Sequence, residues 1–241
     1  LGAAQPEAEK TLLELIAYAK LEAKTLVING DLFDFWFEWG HVMPRVGFRT
    51  LAALADLREA GVEVLWVAGN HDCWGGDVLS HDVGVSYHVG PWRGDIGGWR
   101  TLIEHGDGLR DVEDAPYRRL RSVLRNPIAI WAFRRLLHPD WATSLARKSS
   151  HTSRNMRPRD GGEGLKRVAR DRLASDGSLD LYVFGHSHVS TLERTKDGVF
   201  ANPGAWMDGP QCLMVTPEAV TLTTFDGSAH QPVSTEKHQA K

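Results

Sequence analysis

The sequence predicts an α/β fold in which a buried sheet is flanked by helices. Two patterns carry that prediction. Short apolar runs alternate with segments whose apolar residues recur at helical spacing. Four of the apolar runs also stop abruptly at a glycine set among acids, amides or imidazoles. A helix is expected over 6–20, with Leu12, Leu13, Leu15, Ile16 and Ala19 on one face. A strand follows at 25–29, bounded by Gly30. A second helix covers 49–58 on Leu51, Leu54 and Leu57, and a second strand covers 62–68, ending at Gly69. A third strand runs from Trp99 to Glu104 and meets His105-Gly106-Asp107. From 117 to 146 the chain is helical, rich in Arg, Leu and Trp, and broken by Pro127 and Pro139. A polar loop at 148–164 precedes another helix, and a fourth strand at 179–184 stops at Gly185. Short strand-like pieces continue to about Phe225. These elements divide into a core, 1–111 and 161–227, a helical cap inserted at 112–160, and a polar tail, 228–241, expected to be disordered.

With 241 residues, the chain is long enough for one large domain carrying an insertion. A hydrophobic content of 42% and a formal net charge of -3 are those of an ordinary globular protein, with no basic signature for a nucleic-acid partner. No apolar run approaches the ~18 residues of a membrane span. Cys73 and Cys212 are too few for a disulfide framework, which favours a reducing, cytoplasmic setting.

The strand ends hold the chemistry. They read Gly30-Asp31, then Gly69-Asn70-His71-Asp72, then His105-Gly106-Asp107, then Gly185-His186-Ser187-His188. Ligands of open α/β sheets gather at the carboxyl ends of strands. A carboxylate, an amide oxygen and several imidazoles suit Mn, Fe or Zn better than the all-oxygen shell of Mg or Ca. The set exceeds one tetrahedral site, and two divalent ions bridged by a carboxylate would use it in full. Alone, Gly30-Asp31 reads as a turn and His105 as a packed histidine, whereas two histidines in the three-residue loop 186–188 rarely serve packing. The ordered series of four points to a bimetal phosphoesterase.

That series resembles the calcineurin-like metallophosphoesterase superfamily, whose fold is a β-sandwich flanked by helices. The resemblance implies that Asp31 bridges two metals, that Asn70, His105 and His186 complete one site, and that His188 serves the other. It implies that His71 stabilises the transition state or protonates the leaving oxygen, with Asp72 orienting it, and that Asp34 supports Asp31. A narrower likeness spans nearly the whole chain. "NGDLFDFWFEW", "HGDGLRDVEDAPY", "LRNPIAIWAF", "LHPDW" and "ANPGAW" resemble the UDP-2,3-diacylglucosamine hydrolases of lipid A synthesis. That likeness implies hydrolysis of a UDP-linked glycolipid to UMP and a diacylated glucosamine 1-phosphate, usually with manganese, at the inner face of the cytoplasmic membrane. It implies substrate contacts from Asn70, His71, Asp114, Ser149, Ser150, Arg154 and His186. Many members carry Arg after the motif Asn, where this chain has His71.

The cap residues admit two readings. Arg118, Arg119, Arg121, Arg125, Arg134, Arg135, Arg147, Lys148 and Arg154 could face phosphates or an anionic membrane. Leu120, Val123, Leu124, Ile128, Ile130, Trp131, Phe133, Leu136 and Leu137 could line an acyl groove. The alternative is a pair of amphipathic helices packed on the core. Phe33, Phe35, Trp36, Phe37 and Trp39 either wall the site or fill the core.

A phosphodiesterase or phosphatase acting on a soluble nucleotide is the second functional reading. An inactive binding module of the same fold is the third. The family's first motif, Asp-x-His at the end of a strand, has no counterpart before Asp31. The expectation is therefore a sheet lacking one strand, with open backbone groups and an apolar slot beside Leu26 to Ile28, and a first metal site left with Asp31 and His188.

Overall fold

A computed structural model describes residues 6–111, 113–141 and 160–239. Helix α1 (Pro6–Glu22) leads into β1 (Thr25–Ile28), α2 (Phe48–Glu59) into β2 (Glu63–Val67), and a π-helical turn (Val78–Asp82) into β3 (Ser86–His88). These three strands pair in parallel, in the order β1-β2-β3. Strands β4 (Trp92–Ile96) and β5 (Trp99–Ile103) form a hairpin across Gly97-Gly98. Both glycines have positive φ, 58° and 87°, the geometry that a two-residue hairpin turn demands.

After β5 come α3 (Ala115–Leu124) and α4 (Pro127–Leu136), then α5 (Glu163–Ser175) and β6 (Leu181–Val183). Strands β7 (Thr191–Arg194) and β8 (Val199–Asn202) complete a five-stranded sheet in the order β4-β5-β6-β8-β7. Strands β9 (Gln211–Val215), β10 (Ala219–Phe225) and β11 (His230–Lys237) make an antiparallel third sheet.

The apolar residues sort into layers. On β2, Val64 and Trp66 face α1 and α2, where Ile16, Leu51, Leu54 and Leu57 meet them. Leu65 and Val67 point the other way, onto Trp99, Ile103, Leu181 and Val183 of the five-stranded sheet. That sheet's outer face is covered by α5 through Leu165, Ala169 and Leu173, spaced one helical turn apart. The fold is therefore a β-sandwich with helices on both outsides. A strand buried on both faces must be apolar throughout, which is why these strands stand out in the sequence.

The break expected at Pro127 falls between α3 and α4, and Pro127 takes the first position of α4, where its missing N–H costs nothing. Asn126 caps that helix by accepting from Ile128 N at 2.8 Å and Ala129 N at 3.3 Å. The tail expected to be disordered from 228 instead forms β11 on the edge of the third sheet. A turn built on Asp226 and Gly227 reverses the chain, and Arg194 binds Glu236 at 2.8 Å. Its face is polar because it lies on the surface, so no apolar pattern announced it.

Leu173, on the inner face of α5, is fully buried, so Leu173→Ala is expected to cost about 2–5 kcal/mol in urea unfolding. Val233 is 56% exposed on β11, and Val233→Ala should stay within about 0.5 kcal/mol.

Candidate metal centre

The carboxyl ends of β1, β2, β5 and β6 open into one cavity of about 1190 Å³. Its lining includes Asp31, Asn70, His71, His105, His186, His188 and Asp114. Ligand atoms of Asp31, His105 and His186 lie within 4.8 Å of one another. Asn70 and His188 line the same cavity, His188 outside that tight group. Ser149, Ser150 and Arg154 lie outside the described residues.

Backbone strain aims the side chains. Asp31, His186 and His188 all have positive φ, at 54°, 61° and 58°, a conformation that costs a non-glycine residue about 1–3 kcal/mol. Close approach is secured by glycine. A Cβ at Gly69 would collide with the Asp31 carboxylate, and one at Gly30 would collide with His105 Nδ1.

The donor set fits a cation. His105 Nδ1 stands 2.9 Å from the Asn29 carbonyl, so a neutral ring carries its proton there and turns Nε2 inward. That Nε2 comes within 3.1 Å of Asp31 Oδ2 without the alignment of a hydrogen bond. Asn70 Oδ1 is buried and has no hydrogen-bond partner among the described residues. A buried amide oxygen without a donor, beside an imidazole nitrogen turned onto a carboxylate, is a set that a metal would satisfy. Burial alone would raise the Asp31 carboxyl, but the His105 charge close by, the His71 charge and the His71 backbone N–H hold it well below the usual range. Burial opposes protonation of His105, yet Asp31 pushes it up to about 9. Burial, with the His105 charge second, lowers His186 to about 4. Burial is also the first cause of the lowering at His188, which Asp31 resists.

Asp72 and His71 each have hydrogen-bond partners elsewhere in the loops. Asp72 accepts from Gly69 N at 2.6 Å, Leu32 N at 3.1 Å and Trp66 Nε1 at 3.2 Å. It ties the β1 and β2 loops together and leaves the His71 ring to another partner. His71 Nδ1 instead sits 2.6 Å from the backbone carbonyl of Asp34. Burial and the Asp31 charge raise the Asp72 carboxyl to about 6. Asp114 is bound by Arg110 through its N, Nε and NH2 groups, at 3.0, 3.1 and 2.7 Å. Asn202, quoted above within "ANPGAW" but given no role there, is buried and donates to Gly185 O and Ser187 Oγ. It holds the His186–His188 turn in shape.

Cap and core meet at a buried acid that was quoted above but given no role. Asp107, 4% exposed, accepts from Tyr117 Oη at 2.9 Å and pairs with Arg121 and Arg125 at 3.2 Å each. Arg134 donates to Trp74 O, and Arg118 to Arg110 O and Asp111 O. Four of the arginines expected to face phosphate or membrane are therefore used inside the protein. Arg119 and Arg135 remain exposed, and Arg147, Lys148 and Arg154 lie outside the described residues.

The apolar cap residues divide likewise. Leu124, Ile130, Phe133 and Leu137 pack on Phe35, Phe37, Trp39 and Trp74. Leu120, Val123, Ile128, Trp131 and Leu136 are exposed. Phe33 and Trp36 belong to the main core. A separate cavity of about 770 Å³ lies between cap and core, lined by Trp39, Trp74, Ile130, Trp131, Arg134 and Arg135 among others.

A sandwich whose strand ends converge acid, amide and imidazole is the architecture of a metal-dependent phosphoester or pyrophosphate hydrolase. The profile of the calcineurin-like phosphoesterases matches residues 4–190, and the chain belongs to that family. It is 30% identical over 198 residues to a UDP-2,3-diacylglucosamine hydrolase of Porphyromonas gingivalis, covering 75% of each chain. It is 30% identical over 229 residues to one of Nitrosococcus oceani, covering 90% of this chain and 88% of that one. Among solved structures, the E. coli phosphoesterase YfcE is 16% identical, with a TM-score of 0.46, over 95% of this chain and 91% of that one.

Gly69→Ala should displace the Asp31 carboxylate and weaken divalent-metal binding by about 10- to 100-fold in calorimetry, a loss typical of disturbed metal-supporting groups. Asp107→Ala leaves two arginines without their buried acid, and is expected to cost about 3–5 kcal/mol. Limited proteolysis should then cut α3 and α4 before the core.

Proposed function

We propose that this enzyme hydrolyses the pyrophosphate of UDP-2,3-diacylglucosamine, releasing UMP and 2,3-diacylglucosamine 1-phosphate for lipid A synthesis. The single observation that carries this reading is the aromatic-walled cavity between cap and core, with Arg134 and Arg135 in its lining. A soluble nucleotide needs no such space. The names of the curated relatives support the same substrate.

In this reading Asp31, Asn70, His105 and His186 hold one divalent ion, and Asp31 and His188 contribute to a second. Manganese is proposed over iron or zinc on the mixed oxygen and nitrogen donor set. Bound metals would supply positive charge to the phosphoryl oxygens and make water nucleophilic at neutral pH. His71 then serves the leaving group. Its Nδ1 is held by the Asp34 carbonyl, which leaves Nε2 as the nitrogen that passes a proton to the departing oxygen. Asp72 acts at one remove, keeping the loops of Asp31 and His71 in register. Asp114 orients Arg110 at the cavity wall, and Ser149, Ser150 and Arg154 are assigned to the substrate's polar head.

The exposed side of the cap is proposed to rest on the inner face of the cytoplasmic membrane. Ile128, Trp131, Leu136 and Trp141 are 61–78% exposed there, with Arg119 and Arg135 nearby in sequence to meet anionic lipid. Among the described residues, no helix is long and apolar enough to cross a membrane.

Trp131 separates the readings more cleanly than Phe133, because Phe133 packs on Phe37 and Trp74 and its loss would disturb the fold. Trp131→Asp should reduce kcat/KM on UDP-2,3-diacylglucosamine by about tenfold or more, roughly 1.4 kcal/mol, while leaving turnover of a simple aryl phosphodiester nearly unchanged. Equal losses on both substrates would remove the cap from substrate choice and favour a soluble phosphoester.

A further inference from the structure

The turn that presents His105 runs on into Asp107, an acid that takes no place among the candidate metal ligands. Its side chain is 4% exposed and lies outside the tight group of Asp31, His105 and His186. One helix occupies both of its oxygens. Oδ2 accepts from Tyr117 Oη at 2.9 Å and pairs with Arg121 Nε and Arg125 NH2 at 3.2 Å each. Oδ1 stands 3.4 Å from the same Arg125 NH2. Tyr117, Arg121 and Arg125 recur every fourth residue along α3 and its C-cap, so they make one ridge on one face of that helix. A helix that brings successive turns to a single buried carboxylate has its position along its own axis fixed there.

We propose that Asp107 is a positioning residue of the metal centre, through which the seating of α3 fixes the turn that presents His105 and backs His186. The inference rests on the metal-centre reading and is independent of the glycolipid.

The turn is secured differently on its two sides. On the core side, His105 O accepts from Gly185 N at 2.8 Å, which ties the turn to the loop of His186. The two imidazoles meet edge to face with centroids 5.4 Å apart. Beyond His105 the chain passes through Gly106 and Gly108, with φ of 115° and 76°, where the backbone can swing most freely. The Asp107 carboxylate, between those glycines, is what restrains it. Clearances are small on both sides. A Cβ at Gly106 would stand 3.2 Å from His186 Cβ and 3.4 Å from Gly185 O. A Cβ at Gly108 would stand 3.4 Å from side-chain atoms of Arg118 and Arg121. The turn is therefore clasped between the His186 loop and α3, and a close-packed contact passes a displacement on instead of absorbing it.

Helix α3 also touches both cavities. Tyr117 lines the one that contains the metal centre, and Arg125 lines the one between cap and core. An occupant of either cavity meets a side chain bonded to the same carboxylate. Asp107 is thus placed to make the geometry at His105 answer to the cap, without contact of its own with a metal.

The test compares three full-chain variants with the unchanged protein. Asp107→Asn keeps the volume but turns an amide toward two guanidinium groups that need an acceptor. Arg121→Gln with Arg125→Gln keeps the carboxylate and removes its pull. Leu137→Ala is the control, since it loosens the packing of cap on core without touching Asp107. With Mn²⁺ as the probe ion in calorimetry, the first two should bind at least about tenfold more weakly, the loss typical of disturbed groups behind metal ligands, and the control within about twofold of normal. On a small aryl phosphodiester, kcat should fall by about tenfold in the first two while KM stays within about twofold, because the defect lies in the centre and not in substrate contacts. In the metal-free protein, the His105 Nδ1 proton faces the Asn29 carbonyl at 2.9 Å, and NMR should show it exchanging about tenfold faster in the first two variants only.

Unchanged metal affinity, kcat and proton exchange in Asp107→Asn, with the cap open to protease, would reduce Asp107 to a cap anchor and overturn the proposal. Equal losses in Leu137→Ala overturn it as well, because loosening the cap anywhere would then suffice. Should Asp107→Asn fail to fold, Arg121→Gln alone, which leaves two of the partners in place, is measured instead, and normal values there count against the role. If the unchanged chain binds no Mn²⁺, the metal-centre reading falls, and proton exchange at His105 alone decides whether Asp107 positions it.

Discussion

One buried carboxylate holds the centre of this molecule together. Asp72 is wholly enclosed and accepts from the Gly69 amide, the Leu32 amide and the Trp66 indole, while its own carbonyl takes the Tyr87 hydroxyl at 2.6 Å. Those partners belong to the loop after β1, the loop after β2, β2 and β3. A buried acid is costly unless its oxygens are satisfied, and here three donors satisfy them. The arrangement forces the two loops into contact and so sets Asp31 against Asn70 and His71.

With the loops fixed, local strain becomes affordable. Asp31, His186 and His188 adopt left-handed backbone conformations that their side chains disfavour. Each is held by a neighbour. Asp31 Oδ1 accepts from the His71 amide at 2.9 Å, and Asn202 braces the turn containing both histidines. Strain of this kind persists only where surrounding bonds over-determine the backbone, and it concentrates where side chains must be aimed rather than packed.

The cap depends on the core through a second enclosed acid and an aromatic wall. Asp107 collects two arginines and a tyrosine, and Phe37 and Trp74 receive Phe133 edge-on at ring separations of 5.6 and 4.8 Å. The same helices leave their opposite faces apolar and exposed. A helix that anchors with one face leaves the other free for contacts outside the core.

The sequence by itself determined the class of fold, the strand ends that carry the chemistry and the extent of the apolar layers. Those features are local: buried strands must be apolar, and Gly30, Gly69 and Gly185 sit where only tight turns fit. Tertiary structure decided what no local pattern encodes. Arg121 and Arg125 read as free charges until Asp107 is brought to them across the fold. Asp72 reads as a partner for its neighbour His71 until Leu32 and Trp66 claim its oxygens. The strand β11 reads as a loose tail because an edge strand facing water needs no apolar face. Partner choice among charged and polar groups depends on which distant segments meet, and that is settled by packing of the whole chain.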